Sequence, residues 1–189
     1  MKRILFSTVL LATASLTHAE SATYVVEPTH TFVTYEIAHF GTSTNRGRFD
    51  KKDGKIDLDF AAKTGKVDIS FEIASVNTGV AMMDKHLQSD DFFSAEKFPK
   101  ARFVGDKFSF SGDKVSSVSG SLTLRDKTHP VTLKATGFNC YQNQMIKREV
   151  CGGDFEATID RTQWDINYGL DWGFPKNVKL VIQVEAIKS

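Results

Sequence analysis

The stretch Val67-Asp68-Ile69-Ser70-Phe71-Glu72-Ile73 decides the fold, because apolar and polar side chains alternate along it without a break. Such alternation is typical of a β-strand with one buried and one solvated face, since successive side chains point to opposite faces. Similar alternation recurs at residues 56–60 and 178–184, with shorter examples elsewhere. The chain is therefore predicted to be mainly β.

The number and spacing of these runs indicate how the sheet is arranged. About eight alternating runs follow one another at spacings of roughly 8–15 residues, and turn residues separate them. No strand–helix–strand alternation is present, so an antiparallel sheet is favoured over a parallel one. Closing that sheet removes its exposed edges. We expect one eight-stranded antiparallel barrel domain over residues 20–189, with a single shared interior.

One segment, at about residues 79–98, interrupts the alternation and predicts a short helical insertion. Thr78 is a candidate N-cap, and Met83 and Leu87 lie four residues apart on one helix face. Phe92 and Phe93 follow and are expected to point inward or against the sheet. Pro99 ends the segment.

The amino terminus has the organisation of a secretory signal peptide. Lys2 and Arg3 precede an apolar run over residues 4–16, and Thr17-His18-Ala19 supplies small residues before a polar stretch. The run is too short for a membrane span, which needs about 20 apolar residues. We therefore expect residues 1–19 to be removed and the protein to be exported to the periplasm. A buried N-terminal helix is the alternative.

Charge and cysteine content narrow the classes of function. The 189-residue chain has a net charge of +1, and its basic residues are interleaved with acidic ones, so nucleic-acid binding is not expected. Cys140 and Cys151 are suited to a disulfide that closes a hairpin or loop. A metal site would need further Cys or His ligands nearby, and a redox pair is more often spaced C-x-x-C.

Several motifs, taken together, carry a family resemblance. The most specific is D-K-H-L-Q-S-D-D-F-F at Asp84–Phe93. The remaining stretches are His30–Gly41, Phe98–Phe103, Gly120–Leu124, Thr128–Leu133 and Arg161–Ile166. Taken in their order along the chain, these stretches resemble the YceI-like family of exported, lipocalin-like, polyisoprenoid-binding proteins. The resemblance implies a lipocalin-like eight-stranded barrel with a helical insertion, and an isoprenoid tail held inside it.

The expected ligand-binding residues follow from strand parity and from this resemblance. The predicted lining comprises Val33, Tyr35, Ile37, His39, Phe40, Val67, Ile69, Phe71 and Ile73. The predicted mouth comprises Met82, Met83, His86, Leu87, Phe92 and Phe93, with Trp164 at the rim or in the core. Phe40 stands where the family often has Leu and is expected to change the pocket's shape.

The two histidines of this set have structural as well as functional interpretations. His39 shares the inward parity of its strand, and is either a hydrogen-bonded core residue or a contact for a lipid head group. His86 is expected to pair with Asp90, four residues later. A metal site joining His39, Asp84 and His86 is disfavoured, because Asp84 and His86 do not share a helix face.

The sequence predicts a binding protein rather than an enzyme. No catalytic residue is assigned, because G-x-S-x-G, H-E-x-x-H and Gly-rich phosphate-loop motifs are all missing. No metal or catalytic cofactor is expected. The predicted ligand is an isoprenoid-tailed lipid, either a polyprenyl carrier or a quinone such as ubiquinone, sequestered for transport or storage. The alternatives are a solid β-domain used for protein interaction or stress adaptation, and an enzyme acting on a lipid head group. A homodimer is also an option.

Overall fold

Eleven strand segments make up the sheet in a computed structural model that describes residues 21–189. The predicted signal peptide at residues 1–19 lies outside the described residues. The strands are β1 (Ala22–Val26), β2 (Phe32–His39), β3 (Ser43–Phe49), β4 (Lys52–Asp59), β5 (Thr64–Glu72), β6 (Val76–Asn77), β7 (Lys100–Ser111), β8 (Lys114–Leu124), β9 (Lys127–Asn143), β10 (Arg148–Asp160) and β11 (Asn177–Lys188). The helices are α1 (Ala81–Gln88) and the 3₁₀ helices Ile73–Ser75, Arg161–Trp164 and Leu170–Trp172.

Eight of these strands form a closed antiparallel ring. Its order is β1-β4-β5-β7-β8-β9-β10-β11, and β11 pairs again with β1. The segments β2, β3 and β6 continue β1, β4 and β5 beyond bends, and they extend the wall at one end through β11–β2, β2–β3 and β3–β6 pairing. The predicted eight-stranded antiparallel barrel is confirmed.

A hydrogen-bonded bend between β1 and β2 lets one stretch of chain follow β11 along both halves of the barrel. The Glu27 carboxylate accepts hydrogen bonds from the Thr29 backbone N–H (3.1 Å), the Thr29 hydroxyl (2.7 Å) and the His30 backbone N–H (2.8 Å). On β11, the Glu185 backbone N–H donates to the Thr31 hydroxyl at 3.1 Å. The bend is therefore stabilised both by hydrogen bonds to its own Glu27 carboxylate and by a hydrogen bond from β11.

The alternating stretch Val67–Ile73 folds as the predicted strand except at its last residue. Val67 and Phe71 are buried on the inner face of β5, whereas Asp68 faces solvent. Ile73 is not a strand residue: it begins a 3₁₀ helix and its backbone N–H donates to the Pro99 carbonyl at 2.9 Å. Ile73 is fully buried, so the alternation of buried and exposed residues continues through it, but the strand ends before it because Pro99, its partner in register, accepts this bond and has no N–H to donate in return.

The helical insertion is shorter than residues 79–98. Only residues 81–88 are α-helical, and the segment up to Pro99 consists of turns. Val80 occupies the N-cap position. Thr78 does not cap the helix: its hydroxyl donates to the Asp84 side chain at 2.6 Å instead. Gly79, with φ of +80°, turns the chain between Thr78 and the helix.

The closed end of the barrel is rich in aromatic side chains. Phe60 lies 6.3 Å, between ring centroids, from both Phe110 and Phe138, and Phe108 lies 6.4 Å from Phe110. Cys140 and Cys151 face each other across β9 and β10 near this end and form the predicted disulfide. Among residues 21–189, every helix is too short or too polar to cross a bilayer.

The Glu27 bend makes a testable contribution to stability. Burial pushes the pKa of Glu27 up, but hydrogen bonds from Thr29 and His30 outweigh it and hold that pKa at about 2. A carboxylate with a lowered pKa stabilises the fold above its ordinary pKa, and this stabilisation is lost as the pH falls towards the folded value. We expect Glu27→Gln to lower the free energy of unfolding by about 2 kcal/mol at pH 7.

The difference between Glu27→Gln and the unmodified protein should be constant above pH 4.5 and shrink as the pH falls towards 2. Urea denaturation followed by circular dichroism across this range measures it. Glu96→Gln, at an exposed position in the turn segment, is the control and should change little. A difference that is independent of pH would contradict this role of the Glu27 carboxylate.

Candidate functional site

A cavity of about 480 Å³ occupies the half of the barrel that faces α1. Aliphatic and aromatic side chains from β2, β5, β8, β9 and β11 form its wall, and α1 and the following turns cover it. It opens beside the start of β3, at residues 44–46, and beside Thr78 and Val80. At ~30 Å³ for a non-hydrogen atom the size of a water molecule, the cavity holds about sixteen such atoms.

The other half of the interior is nearly filled. A second cavity of about 70 Å³ lies there, and four side chains border both cavities and separate them. These four are Ile69, Phe103, Leu133 and Ile182. Below them, Phe108 and Phe138 belong to the aromatic cluster of the closed end. The bore is thus open at one end and packed at the other, so the alternative of a solid interior describes only half of the barrel.

Polar groups in the upper cavity are few, and most lie on one side of its mouth. Thr44, Asn45 and Arg46 come from β3, and Thr78 follows β6. Tyr35 of β2 contributes a phenol hydroxyl that makes no hydrogen bond to another group within residues 21–189 and keeps some contact with solvent. Its ring lies flat over Gly47, where an added Cβ would come within 2.5 Å of the hydroxyl oxygen.

The Tyr35 hydroxyl remains a hydrogen-bond donor at any physiological pH. Burial of the ring, and secondarily the negative charge of Asp84, raise the pKa of Tyr35 to about 12. Gly47 is required beside it, because any side chain there would displace the ring. The Tyr35 hydroxyl therefore adds a neutral donor to the polar residues at the cavity mouth, where it can meet a neutral acceptor.

Arg161 holds the loop that forms one side of the mouth. Its buried guanidinium donates to the carbonyls of Ile166 (2.7 Å), Tyr168 (2.8 Å) and Pro175 (2.9 Å). Burial lowers the pKa of Arg161, an effect that the nearby Asp160 opposes. Because the guanidinium is occupied by three carbonyls, its role is to position the loop rather than to bind an anion.

Most of the predicted ligand-binding residues line the upper cavity. They are Val33, Tyr35, Ile37, Ile69, Phe71, Met83, Leu87, Phe92, Phe93 and Trp164. Trp164 is fully buried, and its indole N–H donates to the Leu122 carbonyl at 3.2 Å, so it belongs to the wall rather than to the rim. Val67 lines only the small lower cavity.

Three predicted residues lie outside both cavities although they are close to the upper one. Ile73 is fully buried in the 3₁₀ helix after β5. His39 and Phe40 sit where β2 ends, beyond the cavity, and their rings pack against Phe174, which does line it. Phe40 is exposed because the turn that begins there, at a φ of +50°, directs its side chain outward.

The remaining two mouth residues project away from the cavity. Met82 is exposed because it lies on the solvent side of α1, whereas the next residue, Met83, lines the cavity. The His86 imidazole lies 3.1 Å from the Asp91 carboxylate and packs edge-on against Phe92 and Tyr168. The expected pairing with Asp90 is wrong, because Lys97 binds that carboxylate at 2.8 Å.

Sequence reasoning missed an entire wall of the site. Val178, Leu180 and Ile182 of β11 line the cavity, as do Phe103, Leu133 and Phe174. The alternation of β11 carried a signal for the first three, since it predicts one buried face. Nothing local identified Phe174, which reaches the mouth only through the loop that Arg161 holds. Within residues 21–189, three or more His, Cys, Asp or Glu side chains do not come together in a way that would hold a metal ion.

The geometry defines the class: a closed β-barrel with a one-ended apolar cavity. The YceI-like domain family matches residues 24–186, so the chain belongs to the YceI-like family. A UPF0312 protein of Shewanella denitrificans is 35% identical over 196 aligned residues that cover 100% of both chains.

Solved structures share the fold. The crystal structure of Burkholderia cenocepacia BcnA superposes with a TM-score of 0.70 at 22% identity, over 85% of this chain and 99% of that one. A polyisoprenoid binding domain from Saccharophagus degradans superposes with a TM-score of 0.60 at 12% identity, over 90% of this chain and 100% of that one.

Filling part of the upper cavity should weaken the binding of apolar molecules. Val33 is buried on the cavity wall, so Val33→Phe places additional carbon atoms in the empty space. We expect roughly tenfold weaker binding of the neutral dye N-phenyl-1-naphthylamine, measured by fluorescence titration of delipidated protein. Val104→Phe adds the same atoms on the exposed outer face of β7 and should leave the affinity unchanged. Equal affinities for both variants would show that the dye binds elsewhere.

Proposed function

We propose that the protein binds an isoprenoid-tailed lipid with a neutral head group, the tail inside the barrel and the head at its mouth. The observation that carries this proposal is the one-ended cavity of about 480 Å³, apolar in its depth and polar only beside its opening. A ligand that fits it must have an apolar chain and a small polar end. The Saccharophagus degradans domain, described as polyisoprenoid binding, supports the same class of ligand.

The volume bears on the length of tail that is enclosed. Isoprene units have five carbon atoms each, so room for about sixteen non-hydrogen atoms corresponds to about three units. A longer tail requires Ile69, Phe103, Leu133 and Ile182 to rotate and join the two cavities, or it leaves part of its length outside. Burial of each CH₂-sized group contributes about 0.8 kcal/mol, so even a short enclosed segment binds firmly.

The charges near the mouth favour a quinone-like head over a polyprenyl phosphate. Arginine is well suited to bind a phosphate, but Arg161 and Arg125 donate to backbone carbonyls here, and Arg48 pairs with Asp50. Arg46 forms an ion pair with Glu36, with 2.7 Å between the guanidinium Nε and a carboxylate oxygen. A phosphate beside Tyr35 would also meet the negative charge of Asp84. A neutral carbonyl or hydroxyl needs only the donor that Tyr35 offers.

We also propose that the protein works outside the cytoplasm, in transport or storage rather than catalysis. The predicted signal peptide and the disulfide both suit an oxidising compartment. A binding role is supported by the composition of the cavity wall, which includes neither His39 nor His86. An enzyme acting on a head group would need such groups at the reacting atoms. The homodimer stays a prediction.

Identification of the ligand tests the proposal directly. We expect an isoprenoid lipid in a chloroform–methanol extract of protein purified from an osmotic-shock fraction, detected by mass spectrometry. The Val33→Phe variant should release much less of it than Val104→Phe. The intact mass should correspond to a chain that begins at Glu20. Folded, mildly purified protein that releases no apolar molecule would contradict lipid binding, and a mass that includes residues 1–19 would contradict export by a cleaved signal.

The role of the Tyr35 hydroxyl is tested separately. One hydrogen bond to a neutral head contributes about 1 kcal/mol, so Tyr35→Phe should weaken binding of a short-tailed quinone about fivefold. Binding of a hydrocarbon with the same tail should not change. The control is Tyr24→Phe, because the Tyr24 hydroxyl donates to Glu149 at 2.6 Å at the closed end of the barrel. If Tyr35→Phe affects both ligands equally, the hydroxyl does not select the head group.

A further inference from the structure

Large apolar side chains are exposed in a group around the open end of the barrel. Five residues from three segments make up this group, here called the mouth patch: Phe40, Val80, Met82, Met83 and Trp172. Met82 is 81% exposed and Trp172 65% exposed, although such side chains are usually buried in a soluble protein. Clustered exposed apolar groups mark interaction sites more often than scattered ones do.

Contacts link the three segments into one surface. Phe40 packs on Phe174 with 5.6 Å between ring centroids, in the loop that carries Trp172. Trp172 packs on Tyr168 at 5.2 Å, and Tyr168 packs on His86 of α1 at 5.0 Å. Met82 precedes His86 by one helical turn and so lies on the same face of α1. The patch therefore spans the β2–β3 turn, α1 and the loop held by Arg161.

The apolar surface continues from the patch into the cavity. Val80 and Met83 belong to both, because they are exposed and also line the cavity wall. Phe174, beneath Phe40, lines the cavity as well. An apolar chain that enters at this point passes from one apolar surface to another and is not exposed to water on the way.

The charges around the mouth are balanced. Most basic side chains here have acidic partners, and Lys85 of α1, which is in no ion pair among residues 21–189, is offset by Asp84 next to it and by Asp171 next to Trp172, so no positive field forms that would favour an anionic surface. Four ion pairs lie at this end of the barrel: Arg46–Glu36, Lys97–Asp90, Lys127–Asp165 and Lys176–Asp160. A partner that fits this surface has an apolar interior, which contacts the mouth patch, and an outer polar layer of zero net charge, which contacts the ion pairs.

We infer that the mouth patch docks on the interface of a lipid bilayer with a zwitterionic head-group layer. Tryptophan and methionine insert at such an interface, and the cavity mouth then faces the acyl chains. This inference rests on the proposed function, because the lipid tail would enter the barrel from the membrane. Docking on empty vesicles does not need the ligand, so the two proposals are tested apart.

The chain provides its own probe and its own control. Its only two tryptophans differ sharply, since Trp164 is 0% exposed and Trp172 is in the patch. A second exposed group, Tyr141, Met145 and Ile146, sits on the β9–β10 hairpin at the opposite end of the barrel. Met145 is 92% exposed, comparable with Met82, but it belongs to the lining of neither interior cavity.

The test titrates the protein with phosphatidylcholine vesicles and follows tryptophan emission. We expect the emission of Trp172 to shift to shorter wavelength and to be quenched by brominated phosphatidylcholine, while Trp172→Phe removes both responses. Met82→Ser should lower the partition coefficient roughly tenfold. Met145→Ser, the matched control, should leave it unchanged. Raising the salt concentration should have little effect, because the charges at the mouth are paired.

Four results would overturn the inference. No spectral response to vesicles would do so, even if solvent extraction recovers a lipid and lipid binding stands. Equal effects of Met82→Ser and Met145→Ser would mean that the mouth patch does not direct binding. Binding through an uncleaved apolar run at residues 4–16 would mean the same. A fall in molecular mass for Met82→Ser without vesicles, measured by light scattering, would assign the patch to contacts between two copies of the chain.

Discussion

Backbone pairing between β1 and β11 is the interaction on which the rest of the structure depends. It closes the ring of strands, so that every inward side chain shares one interior and the barrel has no free edge at that seam. The pairing is possible because the Glu27–Thr31 bend lets the chain follow β11 first as β1 and then as β2. Without that bend the wall above the ring, which surrounds the cavity, would not be aligned with β11.

The closed interior is divided into two unequal parts. Phenylalanines fill the end near the disulfide, where three ring pairs among Phe60, Phe108, Phe110 and Phe138 leave little space. At the other end aliphatic walls stand apart and α1 covers them without filling the gap. An empty apolar cavity loses the dispersion contacts that a packed core would make. A bound tail restores them, so ligand binding and barrel stability are expected to rise together.

Strand parity was sufficient to predict much of the candidate site. Val33, Ile37, Ile69 and Phe71 line the cavity because a side chain's direction in a regular strand follows from the period of two. Parity failed where strands end. His39 has the inward parity but lies beyond the cavity, and Ile73 is buried but lies past the end of the strand, because Pro99 opposite it has no N–H to donate. Sequence gives the direction of a side chain but not its height along the barrel.

Patterns in the amino-acid sequence were sufficient to predict the class of fold, the antiparallel arrangement, the disulfide and a short helical insertion. These features depend on periodicity, on turn residues and on cysteine spacing, all of which are local. Only the tertiary structure decided that the bore is open at one end, that the Tyr35 hydroxyl has no partner there, and that Phe40, Met82 and Trp172 form one exposed surface. Those features depend on how residues far apart in the chain share a volume, because empty space belongs to no single segment.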